Sequence, residues 1–263
     1  MMDKIWSSLI ETPQNGRLTK PRQAGITMII DKGLSLQETE NLLSLNAPYI
    51  DLIKLSFGTT VLYPEASLVK KLALAAEYQI PLYPGGTFFE LCFAQQKGEA
   101  YFQLLRRLGF QWVEISDGTI ELPVSARNRA IRQALENGLK VITEVGKKSI
   151  AAQPEETLLA WEGLSDIEAG ASWVIIEARE SGQGIGVYDS KGNIIADKIT
   201  AFTDRLPLNR IIWEAPLKNQ QAWLINQFGP NVNLGNIPPA EAMALEALRL
   251  GLRSDTWKKP LKK

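Results

Sequence analysis

Between Gln111 and Val145 the chain reads QWVEISDGTIELPVSARNRAIRQALENGLKVITEV. Gln111 to Ser116 is a compact, largely apolar run and predicts a strand. Pro123 to Asn137 predicts a helix, with Gly138 placed to cap it. Leu139 to Val145 predicts a second strand. A strand, a helix and a strand on short connections imply two parallel strands joined by a right-handed crossover. Parallel strands covered on both faces read as near-continuous apolar runs. Glu114 and Glu144 interrupt theirs. A charge in such a run must be paired, metal-bound or at the mouth of the sheet.

The same unit recurs along the chain. Further strands are predicted at Ile26–Asp31, Tyr49–Phe57, Ile80–Tyr83, Ala171–Ala178, Arg210–Trp213 and Val232–Leu234. Helices are predicted at Leu36–Leu45, Pro64–Tyr78, up to Leu108 with a break near Gly98, Pro154–Ala169, Asp197–Arg205, Asn219–Phe228 and Pro239–Leu252. Eight such units in about 240 residues predict an α/β fold, a parallel eight-stranded (β/α)8 TIM barrel. A doubly wound open sheet is the alternative, and the short third and eighth strands are where closure is weakest. Residues 1–25 read as an N-terminal extension, 26–257 as one barrel domain and 258–263 as a basic tail.

Composition narrows the chemistry. The chain has 263 residues, 29 Lys+Arg against 29 Asp+Glu, one cysteine and no histidine. Zero net charge points to neither nucleic acid nor an anionic membrane. One cysteine excludes an intrachain disulfide and suits a reducing cytoplasm. Cys92, in an apolar run, reads as a packed thiol. No apolar stretch reaches the ~18 residues of a membrane span, so a soluble protein is expected. Without imidazole, acid–base work falls to Lys, Asp, Glu, Tyr or water, and a metal site must be built of oxygen, favouring Mg²⁺ or Mn²⁺ over Zn²⁺. Trp6, Trp161 and Trp257 are assigned to helix packing, with an oligomer interface as the alternative.

Barrel active sites lie at the C-terminal ends of the strands. There the sequence places Asp31 and Lys32, Lys54 and Ser56, Glu114 and Asp117, Glu144, Lys147 and Lys148, Glu177 and Arg179, Glu214, and Asn233, Gly235 and Asn236. Alternation puts Leu52, Lys54 and Ser56 on one strand face, Trp112, Glu114 and Ser116 on another, and Ile175, Glu177 and Arg179 on a third. Carboxylates mixed with cations suggest a metal and an anionic ligand. Asp31, Glu114, Asp117, Glu144, Glu177 and Glu214 are the candidate metal ligands, a subset acting directly or through water, since Mg²⁺ takes only one or two carboxylates. Thr59 follows the second strand. Leu234 to Pro239 offers glycine and a helix start for phosphate. Gly182 to Gly186 reads as a lid or a structural hairpin.

Seven of these segments carry a resemblance: IIDKG (Ile29–Gly33), YPGGT (Tyr83–Thr87), EISDG (Glu114–Gly118), TEVGKK (Thr143–Lys148), IEARESG (Ile176–Gly182), WEAP (Trp213–Pro216) and NLGNI (Asn233–Ile237). In order and over roughly Gly25 to Trp257, they resemble the phosphosulfolactate synthase family, which also holds plant heat-stress-associated proteins. The resemblance implies a barrel, Mg²⁺, and addition of sulfite to phosphoenolpyruvate giving (2R)-phospho-3-sulfolactate, an intermediate toward coenzyme M. It implies a lysine of the EVGKK segment as general acid, Lys147 with Lys148 as the competitor. Lys32, Lys54 and Arg179 would then hold phosphate, carboxylate or sulfite, Arg179 bidentately. Self-association is expected by analogy with other barrels. Two other readings remain: a Schiff-base lyase using Lys54 or Lys147, and a stress-associated barrel without turnover.

Overall fold

The computed structural model describes residues 4–148 and 154–257, so the basic tail read at 258–263 lies outside the described residues. Eight strands form one parallel sheet: β1 (Thr27–Asp31), β2 (Leu52–Leu55), β3 (Leu82–Pro84), β4 (Trp112–Ile115), β5 (Lys140–Val145), β6 (Trp173–Ile176), β7 (Ile211–Glu214) and β8 (Leu234–Ile237). They are hydrogen-bonded in the order β3-β2-β1-β8-β7-β6-β5-β4. β3 and β4 lie alongside one another without a ladder and close the ring. The (β/α)8 barrel read from the sequence is therefore present. The seam is bridged where Gly86 N–H donates to Glu114 Oε1 at 2.7 Å. A Cβ on Gly86 would fall on the Ser116 hydroxyl, so only glycine permits this approach.

The helices are α1 (Lys4–Ser7), α2 (Leu36–Asn46), α3 (Glu65–Glu77), α4 (Gly86–Ala94), α5 (Gly98–Leu108), α6 (Val124–Glu136), α7 (Glu156–Ala169), α8 (Ala196–Thr203), α9 (Lys218–Phe228) and α10 (Ala242–Arg249). α2 begins on a capping box in which Ser35 and Glu38 satisfy each other's backbone N–H groups. α5 and α7 end on left-handed Gly109 and Gly170. The strands are shorter than the apolar runs imply. Tyr49 is taken into a 3-10 turn, Ala47–Tyr49, which delays β2. The eighth strand lies two residues later than the Val232–Leu234 reading, because Val232 and Asn233 serve the approach to it.

Two layers fill the barrel. Met28, Leu52, Tyr83, Trp112, Ile142, Ile175 and Ile212 form an apolar interior, with Trp112 stacked on Trp173. Two residues further along their strands stand Lys54, Glu114, Glu144, Glu177 and Glu214, on the same inward face. A second, larger core lies between sheet and helices.

The stretch read as an extension is docked on the barrel from Gln14 onward. Arg17 forks onto Glu246, Arg22 onto Asp51, and the Gln14 amide donates to Thr256 O. Beneath β1 and β8, buried Arg249 donates to the carbonyls of Pro230, Val232 and Ile26. Trp6, Trp161 and Trp257 are exposed, not packed as expected; Trp161 carries the Arg205 guanidinium over its ring. Cys92 is half-buried against the core, and burial pushes its thiol up, as a packed thiol requires. Among the described residues no helix is long and apolar enough to cross a membrane.

Candidate active site

A cavity of about 360 Å³ opens at the C-terminal ends of the strands. Lys54, Glu114, Glu144, Glu177 and Glu214 form its floor, and Lys148, Arg179 and Asn236 its wall. Each floor residue is carried in by the alternation of its strand, which leaves no outward choice once the apolar layer below is buried.

Lys54 Nζ holds the floor together. It lies 2.9 Å from Glu144 Oε2, 3.0 Å from Glu114 Oε2 and 3.5 Å from Glu214 Oε1. Burial alone would lower the pKa of this ammonium, but the three carboxylates push it well above the ordinary lysine value. The carboxylates divide in response. Burial raises Glu114 to about 7, despite Lys54 and the Gly86 N–H. Burial opposes ionisation of Glu144 too, yet Lys54 and Lys148 hold it down at about 2. Glu177 is pushed well up by burial and by its neighbours Glu144 and Glu214. Glu214 is raised by burial, partly offset by Lys54. Glu144 and Glu177 act on one another's ionisation.

Glu144, Glu177 and Glu214 each present an oxygen within 4.8 Å of the others, all three residues buried. Glu144 Oε1, Glu177 Oε2 and Asn236 Oδ1 find no hydrogen-bond donor among the described residues. Four buried carboxyl groups face Lys54 and Lys148, and the upward shifts of Glu114, Glu177 and Glu214 reflect the cost of ionising them together, a cost that a bound cation would offset. This all-oxygen, electronegative set suits a hard divalent cation of the Mg²⁺ kind.

Six sequence candidates do not line this cavity. Asp31 belongs to the outward face of β1 and pairs with Lys71 of α3 at 2.5 Å; its other oxygen accepts from Gly33 and Leu34 N–H. Asp117 is held between Arg127 at 3.2 Å and Lys147 at 2.7 Å. Lys147 also donates to the carbonyls of Asp117 and Ile120. Thr59 donates to Ser56 O and starts a 3-10 turn. Gly235 faces the apolar interior, where a Cβ would collide with Met28. Lys32 lies in an adjoining lobe of about 380 Å³, paired with Glu180 at 2.5 Å.

Of the two lysines, Lys148 is the one at the cavity. Its Nζ donates to Thr87 Oγ1 at 2.9 Å and lies 3.9 Å from Glu144 Oε1. Glu144 and Glu177 raise its pKa against the effect of burial. Three residues with left-handed backbones line the cavity: Phe57, Arg179 and Asn236, with φ of 55°, 58° and 55°. At Asn236, β8 carries one residue more than β1, which pairs Thr27 with Leu234 but Ile29 with Ile237. Such a bulge turns a side chain it would otherwise direct elsewhere. The Gly182–Gly186 segment is part of a structural hairpin, not a free lid. Tyr188 pairs with Ile194 and donates to Glu214 O at 2.6 Å, and Gln220 donates to Gly182 O and Gly192 O.

Sequence reasoning passed over Glu90 and Arg127. Glu90, on α4, is buried and accepts from Ser116 Oγ at 2.5 Å, from Gly118 N, from Thr119 N and from the Thr119 hydroxyl. It thereby fixes the β4–α6 loop, whose Gly118 carbonyl accepts from Lys148 N–H. Arg127 forks onto Asp166 and donates to Glu144 O. For Glu90 the available signal was a lone charge in an apolar helical run; Arg127, among Asn128, Arg129 and Arg132, had no such signal.

Residues 15–255 match the family model of (2R)-phospho-3-sulfolactate synthase (ComA). The phosphosulfolactate synthase of Methanothermobacter thermautotrophicus is 45% identical over 248 residues, covering 93% of this chain and 94% of that protein. That of Methanocaldococcus jannaschii is 39% identical over 239 residues, covering 90% and 95%. Among solved structures, 3-hexulose-6-phosphate synthase from Salmonella typhimurium matches with a TM-score of 0.58 at 15% identity, over 87% of this chain and 100% of that one, a likeness of fold. By its matched length and its identity to these relatives, the chain is a member of the phosphosulfolactate synthase family.

Proposed function

We propose that the protein catalyses the Mg²⁺-dependent addition of sulfite to phosphoenolpyruvate, giving (2R)-phospho-3-sulfolactate, and so acts as a carbon–sulfur lyase in the cytoplasm. The observation that carries this reading is the buried Glu144–Glu177–Glu214 group beside Lys148 in one cavity. Sulfite attack forms a C–S bond at C3 and drives the double-bond electrons onto C2 and the carboxylate. A proton delivered to C2 then completes the product.

Glu144, Glu177 and Glu214 would hold the cation, which supplies Lewis-acid stabilisation of the charge arriving on the substrate carboxylate. Lys148 is the proton donor to C2 in this reading. As an ammonium ion it carries the proton to be delivered, and Thr87 fixes its direction. Arg179 lines the cavity as a fork suited to a phosphate or carboxylate. Lys54 offsets the carboxylates and positions Glu144. A Schiff base on Lys54 is disfavoured because three carboxylates keep it an ammonium ion. Self-association belongs to this proposal, and exposed Trp161 and Trp257 are available for it.

Incubation with phosphoenolpyruvate, sulfite and Mg²⁺ tests the reading. Phosphosulfolactate identified by mass supports it, and its absence under saturating substrates overturns it.

A further inference from the structure

Phe57 leaves β2 with a left-handed backbone, φ 55°, and as a residue remains 43% exposed where it lines the cavity. A bulky residue is a true outlier in this region, and such strain persists only where its surroundings impose it. Here they do: Gly85 N–H donates to Leu55 O at 2.8 Å, and a Cβ on Gly85 would stand 2.9 Å from both the N and the O of Phe57. Glycine at 57 would relieve the strain, yet the chain carries an aromatic ring there.

The ring has a defined place in the mouth. Among the described residues lining the cavity, Ile30 and Phe57 are the apolar side chains. They come from β1 and β2, adjacent strands paired through Ile30 and Lys54. The carboxylates suited to a cation come from β5, β6 and β7, across the ring of eight strands. The cavity thus has a charged side and one apolar corner. Phosphoenolpyruvate has the same division: two anionic groups and a single uncharged end, the C3 methylene.

We infer that Phe57, with Ile30, is a specificity-determining wall that receives C3 of the enol ester and limits what C3 can carry. This rests on the reading of phosphoenolpyruvate as substrate.

The test compares phosphoenolpyruvate with (Z)-2-phosphoenolbutyrate, which adds one methyl at C3, as kcat/KM for each in the full-length wild-type protein, Phe57→Ala, Phe57→Val and Ile30→Val. A pocket discriminates one methylene by about 10–200-fold. Phe57→Ala is expected to raise the butyrate-to-pyruvate ratio by about tenfold or more, with Phe57→Val and Ile30→Val raising it less. If Phe57→Ala does not fold, Ile30→Val carries the comparison, since a β-branched side chain is strained further by the left-handed backbone at 57. A ratio unmoved while both esters decline together overturns the inference. So does an unmoved ratio with a changed oligomeric state in sedimentation, which would make Phe57 a subunit contact. Turnover of neither ester by the wild-type protein overturns the functional reading and this inference with it.

Discussion

Lys54 Nζ stands 2.9 Å from Glu144 Oε2, a contact made across the interior of the barrel between residues 90 positions apart. The two side chains are buried, and Glu114 and Glu214 complete the group around the same ammonium. Removing one member of a buried ionic group leaves charge uncompensated and costs about 3–5 kcal/mol. Lys54→Met is therefore expected to lower stability by that order in chemical denaturation. Added Mg²⁺ should restore part of the loss, since the freed carboxylates still attract a cation.

Glu114 sets a pH dependence of defined sign. Its carboxyl titrates near 7 in the fold, against 4.5 as its ordinary value. Between those values the folded state binds more protons than the unfolded one, so stability contributed here is full below pH 4.5 and is lost as pH rises to 7. Glu144, held at about 2, acts oppositely, losing its contribution as pH falls from 4.5 towards 2. Glu114→Gln is expected to flatten the loss between pH 4.5 and 7. Melting curves with a chelator present, taken across pH 4–8, read this directly. A loss as steep as in the wild type would remove Glu114 as its source.

The metal assignment separates buried carboxylates by their place. Glu177→Gln and Glu214→Gln should each weaken Mg²⁺ or Mn²⁺ binding at least about tenfold, in calorimetry or by Mn²⁺ paramagnetic resonance. Asp117→Asn should leave that affinity near wild type, because Asp117 is occupied by Arg127 and Lys147. Equal losses in all three variants would contradict the placement.

Glu90 gives a prediction about the loop that seats Lys148. Glu90→Ala leaves the Ser116 and Thr119 hydroxyls and two N–H groups without their acceptor. The cost is about 1–3 kcal/mol for each donor left buried and unpaired. Faster amide exchange at Gly118 and Thr119 than in the wild type is the accompanying signature.

The barrel was legible because its signal is repetition: apolar strands, short connections, and carboxylates at positions where a parallel strand should be apolar. Glu114, Glu144, Glu177 and Glu214 were legible for the same reason, since two-residue alternation fixes which way they face. Asp31 follows inward Ile30 and faces outward by the same alternation, where Lys71 pairs with it, whereas Asp117 lies beyond β4 and is held by Arg127 from a helix the local pattern does not connect to it. Lys147 and Lys148 are neighbours in the chain with opposite fates. The left-handed turn at Gly146 and the carbonyls of Asp117 and Ile120 decide which one faces the cavity. The bulge at Asn236 and the strain at Phe57 are backbone facts with no signature in hydrophobic pattern.

The central claim is that Lys148, and not Lys147, delivers the proton in a Mg²⁺-dependent addition. Loss of the enol absorbance of phosphoenolpyruvate in the presence of sulfite and Mg²⁺ measures it, with Lys148→Ala and Lys147→Ala alongside the wild type. The account predicts turnover that stops in chelator, falls about 10²–10⁴-fold in Lys148→Ala, and survives better in Lys147→Ala. Turnover undiminished in Lys148→Ala, or persisting without a divalent cation, would contradict it.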